Sequence, residues 1–184
     1  VMAGVVSCSE SRAKPLRTVR AATGALLHPL AAYLLHRGLA TLSLRVERAQ
    51  NNAEIIARRL ARHPAVASVH FPSMHTGAQA EIYRKQMQGP GALMAFELKS
   101  GYAAAAAVLA SVRLCTPAVS LGSVDTLIQH PAGLTHRVLS EAAREQHGIS
   151  AGLVRLSVGI EQVEDIWFDL EQALNAAASA GTVL

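Results

Sequence analysis

Between His28 and Pro64, apolar residues recur at alternating spacings of four and three: Leu35, Leu39, Leu42, Val46, Ala49, Ala53, Ile56 and Leu60. At 3.6 residues per turn these positions form one stripe, with Arg45, Arg48, Arg58 and Arg59 largely off it. The pattern predicts one long amphipathic helix over 28–63. Pro64 ends it, because proline disfavours helical backbone at the residue before it. After it, short apolar runs and helix-like runs alternate. "AVASVHF" (65–71) and "GALMAFEL" (91–98) read as strands, and "GAQAEIYRKQM" (77–87) and "YAAAAAVLASV" (102–112) as helices. "RLCTPAVSLG" (113–122) is short, extended and broken at Pro117, and "VDTLIQHPAG" (124–133) is a short strand followed by a turn. "SEAAREQHG" (140–148) has Ser140 as N-cap and Gly148 as the C′ glycine of a short helix. The final helix carries Val163, Ile166, Trp167, Leu170, Leu174 and Ala177 on one face. The opening "VMAGVV" reads as a buried strand. This alternation predicts an α/β or α+β domain, a sheet with helices packed on it.

The last strand, "LVRLSVGI" (153–160), is the most informative. Strand side chains alternate between faces. Val154, Leu156, Val158 and Ile160 form a purely apolar side that must face the helices. Leu153, Arg155, Ser157 and Gly159 share the other. An unpaired guanidinium is costly to bury, so Arg155 needs an anion. Its planar fork of donors suits a carboxylate or a phosphate, and an acidic side chain of the protein itself serves as well.

Composition narrows the function classes. The chain has 184 residues, 51% of them hydrophobic and 16% charged, enough for a core and too apolar for disorder. Residues 1–62 carry ten Lys/Arg against three acids, and the rest seven against ten. The arginines of the basic part lie mainly on the polar side of the predicted helix, without interleaved aromatics. That is a solvated face or subunit contact rather than a nucleic-acid surface. No run is long enough to span a bilayer, and the N-terminal run has no basic residues before it to make a signal peptide. Cys8 and Cys115 are far apart, which points to a reduced, cytoplasmic setting. The eight histidines show neither HxxxH nor HExxH spacing, so no metal site is expected.

A second chemical cluster is "AVSLGSVDTLIQHPAGLTH" (118–136), where Ser120 precedes Leu121 and Gly122. A hydroxyl and backbone N–H groups can converge on an anion there. Ala118 stands where a nucleophile elbow needs glycine. A triad of Ser120, Asp125 and His130 or His136 can be written on paper, as in almost any chain of this size. No phosphate-cradling glycine loop exists. The three lysines, Lys14, Lys85 and Lys99, sit in settings of solvated surface residues.

The stretches "AVSLGSVDTLIQHPAGLTH" and "EQHGISAGLVRLSVGIEQVEDIWFDLEQAL", with "TGALLHPLAAYLLHRGLATLSLRVERAQNNA" (23–53) and "GPGALMAFEL" (89–98), strongly resemble one group. It is the Cys/Met-metabolism family of pyridoxal 5′-phosphate (PLP) enzymes, which includes methionine γ-lyase and cystathionine γ-lyase. The resemblance covers nearly the whole chain. It implies the C-terminal part of a fold of aspartate-aminotransferase type. On this reading residues 1–63 are the end of the large PLP-binding domain with a long connecting helix, and 64–184 are the small C-terminal α/β domain. The opening "VMAG" resembles the segment directly after the cofactor lysine's motif. The Schiff-base lysine is therefore expected upstream of Val1, and the isolated chain is expected to be inactive.

The resemblance implies a carbon–sulfur lyase acting on a sulfur amino acid by β- or γ-elimination, a cytoplasmic homotetramer completed by its N-terminal half. Arg155 matches the family arginine that grips the substrate α-carboxylate, and Ser120 matches a serine in its vicinity. The Leu121 backbone lies in the same wall, and Asp125 stands where many relatives have a glutamate near the substrate's distal end. Methionine γ-lyases typically carry a lysine–aspartate pair shortly before "TGA". Here that stretch reads Arg20–Ala21–Ala22–Thr23, which leaves a different sulfur substrate open. γ-Replacement, or a non-catalytic assembly module, are the alternatives.

Overall fold

The computed structural model of the protein describes residues 2–180. The chain divides into two compact units, Val1–Leu44 and Arg45–Leu184.

In the first unit, residues 2–9 form no regular structure, and Met2, Val5 and Val6 are exposed. The strand expected at "VMAGVV" is not there, apart from Val1, which lies outside the described residues. A strand exists only by pairing, and nothing in the described chain pairs with this segment. Two helices follow, α1 (Glu10–Thr23) and α2 (Pro29–Leu39). α1 was not foreseen, because a charged stretch with Pro15 inside it has little apolar period to detect. It closes on Gly24, whose φ of 68° is the left-handed conformation that glycine adopts without penalty. Neither helix has a buried residue.

The single long helix expected over 28–63 is two. α2 ends at Leu39, the chain turns at Ala40–Thr41, and α3 runs over Leu42–Leu60. The apolar stripe is continuous in sequence across the turn but is buried only from Ala49 onward. Ala49, Ala53, Ile56 and Leu60 enter the core, whereas Leu39, Leu42 and Val46 remain exposed. Periodicity reports a face to be covered and cannot report a two-residue break beneath it.

The second unit is built on a five-stranded sheet of order β1-β2-β5-β4-β3. The strands are β1 (Val66–His70), β2 (Leu93–Leu98), β3 (Thr116–Pro117), β4 (Leu127–Gln129) and β5 (Leu153–Ser157). All pairs are antiparallel except β3–β4. Pro117 has no N–H for a ladder and lies, as it must, on an edge strand. The helices are α4 (Gly77–Gln86), α5 (Gly101–Ser111), α6 (Glu141–Gln146) and α7 (Val163–Ala180). Ser140 caps α6 by accepting from the Ala143 N–H, and Gly148 follows it at φ 70°.

The two faces of the sheet differ as the last strand's alternation predicts. Met94, Phe96 and Leu98 of β2, Ile128 of β4, and Val154 and Leu156 of β5 join α3, α5 and α7 in one hydrophobic core. Each such apolar side chain contributes about 1.5–3 kcal/mol by leaving water. The other face carries Ala95, Arg155 and Gln129 side by side, and Leu93, Ser157 and Leu127 in the next row. Among the described residues, no helix is long and apolar enough to cross a membrane.

Candidate functional site

Arg155 sits at the centre of β5, flanked by Ala95 on β2 and Gln129 on β4. Its Nη2 donates to the carbonyl oxygens of Val119 (3.1 Å) and Ser120 (2.8 Å), just past the end of β3. Three ion pairs occur among the described residues: Arg17–Glu10, Arg58–Glu54 and Arg59–Glu164. Arg155 is in none of them. The side chain that required an anion thus meets neutral carbonyls, which take two of its five N–H donors.

Those carbonyls belong to a loop, residues 118–126, that is stapled along its length to β4, to β5 and to the continuation of β5. Ala118 N–H donates to the Ile128 carbonyl (3.0 Å), extending the pairing of β3 with β4. Gly122 N–H donates to Ser157 Oγ (2.9 Å), and Ile160 N–H to the Val124 carbonyl (2.8 Å). At the far end Thr126 is fully buried. Its N–H and hydroxyl both donate to the Glu161 carboxylate (2.6 and 3.0 Å), and its Oγ1 accepts from Gly159 N–H (3.0 Å). Asn52 of α3 ties the same corner, donating to the carbonyls of Gly159 (3.0 Å) and Glu161 (2.9 Å). Gly159 is needed there for space. A Cβ on it would stand 2.3 Å from the Val124 oxygen and 2.6 Å from the Asp125 carbonyl carbon.

The structure therefore brings Arg155 and Ser120 together through the Ser120 carbonyl, with the Ser120 side chain exposed. Leu121 is exposed in the same loop. Asp125 is also exposed. Its carboxylate accepts from the Ser123 hydroxyl, and chiefly that bond, then a backbone one, holds its pKa below the usual value. The triad writable from the sequence is not assembled. His130 is buried and directs Nε2 at the Ala151 carbonyl (2.9 Å), and His136 pairs with its neighbour Thr135. Ser157, Thr126, Glu161 and Asn52 were not singled out for these staples. Only Ser157 carried a signal, its place on the Arg155 face; the other partners lie too far apart in sequence to be paired by reading it.

A mixed sheet with helices on one face and a loop-held arginine on the other defines an α/β domain. The sequence comparison makes this specific. The profile of the Cys/Met metabolism PLP-dependent enzyme family matches residues 1–175, and the chain belongs to that family. An L-methionine gamma-lyase of Streptomyces avermitilis is 53% identical over 174 residues, 95% of this chain and 38% of the relative. Among solved structures, a methionine gamma lyase from Micromonospora echinospora matches with a TM-score of 0.83 at 38% identity, over 92% of this chain and 45% of that one. A cystathionine gamma-lyase from Lactobacillus plantarum, complexed with L-serine, matches with a TM-score of 0.85 at 34% identity, over 94% of this chain and 45% of that one. The chain thus spans less than half the length of these relatives.

The family's cofactor is PLP, and the described residues do not fit its anchoring. A lysine that forms a Schiff base is activated by desolvation or by a neighbouring cation. Lys14 on α1, Lys85 on α4 and Lys99 after β2 are all exposed. Lys99 borders a cavity of about 240 Å³ with His63, Pro64 and Leu174, which includes neither Arg155 nor its loop. Among the described residues, no group of three His, Cys, Asp or Glu is placed to hold a metal ion.

Proposed function

We propose that this chain supplies the substrate-carboxylate end of a PLP-dependent lyase that cleaves the carbon–sulfur bond of a sulfur amino acid. One observation carries the reading. Arg155 is a strand-mounted guanidinium with no acidic partner among the described residues, held in place by the carbonyls of Val119 and Ser120. Neutral carbonyls orient the fork without discharging it, so it keeps its affinity for an incoming carboxylate. Ser120 and Leu121 form the wall beside it, and Asp125 stands further along the same loop, toward the substrate's distal end. Fixing the α-carboxylate fixes the orientation of the bonds around Cα, which is the positioning part of catalysis.

In this reading the chain acts with the N-terminal half that its longer relatives possess, in a homotetramer. Residues 1–63 close the cofactor domain and 64–184 are the small domain. The apolar side chains left exposed on α1 and α2, including Leu16, Val19, Leu30 and Tyr33, support such an assembly.

The test is made on the protein carrying the upstream half and PLP, assayed for α-keto acid and thiol from sulfur amino acids. Arg155→Lys keeps the charge and loses the planar fork, and is expected to lower kcat/KM by about a hundredfold, mostly through KM. An unchanged KM, or no thiol released from any sulfur amino acid, would refute the reading.

A further inference from the structure

Among the described residues, one buried side-chain polar atom has no hydrogen-bond partner, and it lies next to Arg155. It is Oε1 of Gln129, a residue only 1% exposed. Its Nε2 donates to Thr135 Oγ1 (2.6 Å), so the amide is fixed by one end and its oxygen is left over. Gln129 is the direct cross-strand neighbour of Arg155, on the same face of the sheet.

The bonding of the guanidinium shows why an acceptor is wanted there. A carboxylate binds bidentately along one edge of the fork, either Nη1–Nη2 or Nε–Nη2. Both edges include Nη2, the nitrogen that now holds both carbonyls. Carboxylate binding therefore draws Nη2 off at least one of them, and the guanidinium loses part of what fixes its plane. We propose that Gln129 is a positioning residue for Arg155: its Oε1 accepts an N–H of the guanidinium when a substrate carboxylate occupies the fork. An acceptor suits this place because its cross-strand neighbour is a cation, and the other end of the amide is anchored at Thr135 Oγ1. The inference rests on the assignment of Arg155 to the α-carboxylate.

The experiment compares two ligands of the complete, PLP-loaded enzyme by calorimetry: L-norleucine, and 1-pentylamine, the same molecule without its carboxylate. Gln129→Met keeps the length and removes the acceptor. It is expected to weaken norleucine by about tenfold and to leave pentylamine within about twofold. In an Arg155→Met background the same substitution is expected to do nothing further, since its partner is gone. Equal weakening of both ligands, or an effect that persists without Arg155, overturns the proposal. If Arg155→Met alone leaves norleucine binding intact, the carboxylate assignment itself falls. Should Gln129→Met fail to fold, a crystal structure of the unaltered enzyme with norleucine decides. Oε1 about 3 Å from a guanidinium nitrogen supports the proposal, and a separation beyond about 4 Å overturns it.

Discussion

Gly159 shows how a single missing methyl group shapes the site. A Cβ there would stand within 2.6 Å of backbone atoms of Val124 and Asp125, and backbone cannot rotate aside as a side chain can. Gly159→Ala must push the 124–125 segment away, and with it the loop that presents the Val119 and Ser120 carbonyls to Arg155. The expected cost is about 1–3 kcal/mol in urea unfolding and roughly tenfold in kcat/KM of the complete enzyme. Gly152 is the control. It is also closed to a side chain, with a Cβ 2.6 Å from the Leu98 oxygen, but it precedes β5 at the end away from the loop. Gly152→Ala should destabilise by a similar amount and leave KM alone; equal KM effects from the two would show that the loop is not what Gly159 protects. At this scale the sequence was half legible. Period-two alternation put Arg155 and Ser157 on one face, and that is where they are. It could not say that Arg155 would be framed by carbonyls, because those come from a loop more than thirty residues away.

The elements are held in register by a carboxylate with no evident chemical role. α7 buries Ile166, Leu170, Ala173 and Leu174 in the core, and between them carries Asp169, itself buried. Its oxygens accept the N–H groups of Arg113 (2.7 Å), Leu114 (2.8 Å) and Cys115 (2.8 Å), the segment that leads from α5 into β3. Gln172 adds a bond to the Ser111 carbonyl (2.7 Å). Burial alone would raise the Asp169 pKa, but the three backbone donors outweigh it and the pKa is lowered. The Cys115 thiol moves the other way, pushed up by burial and then by Asp169. A carboxyl depressed on folding stabilises the protein above its unfolded value of about 3.9, and that contribution is lost as pH falls through the lower folded value. Asp169→Ala leaves three N–H groups unpaired and should cost roughly 3–5 kcal/mol at pH 7. The gap between variant and parent should shrink once the pH drops below about 4. Urea unfolding at both pH values measures it, and a gap that stays constant would mean that the carboxylate's charge is not what binds the segment. The apolar period announced α7 plainly. It could not announce Asp169, which reads as a polar residue on a helix until its partners, 54 to 56 residues earlier, are known.

For the whole molecule, the two units differ in what they bury. The second has a continuous core drawn from three helices and the sheet, whereas α1 and α2 of the first contain no buried residue. Helices of 14 and 11 residues without tertiary burial are marginal in water. The same contrast explains where the sequence misled. Patterns in residues 45–180 predicted elements that a self-contained core selects, and they were found. The patterns before residue 45 predicted a buried strand and an unbroken helix, because their apolar residues call for a cover that the described chain does not provide. Local opening needs little free energy where few apolar groups are buried, so proteolysis should follow the division between the units. Brief trypsin treatment of the isolated chain is expected to cut first at Arg12, Arg17, Arg20 or Arg37, leaving a resistant fragment that begins close to Arg45. In the assembly proposed above the upstream half covers these helices, and the same sites should become resistant. Mass spectrometry of the early fragments distinguishes the cases. First cuts within 45–180 would contradict the placement of the stable core, and equal cleavage with and without the upstream half would contradict the assembly.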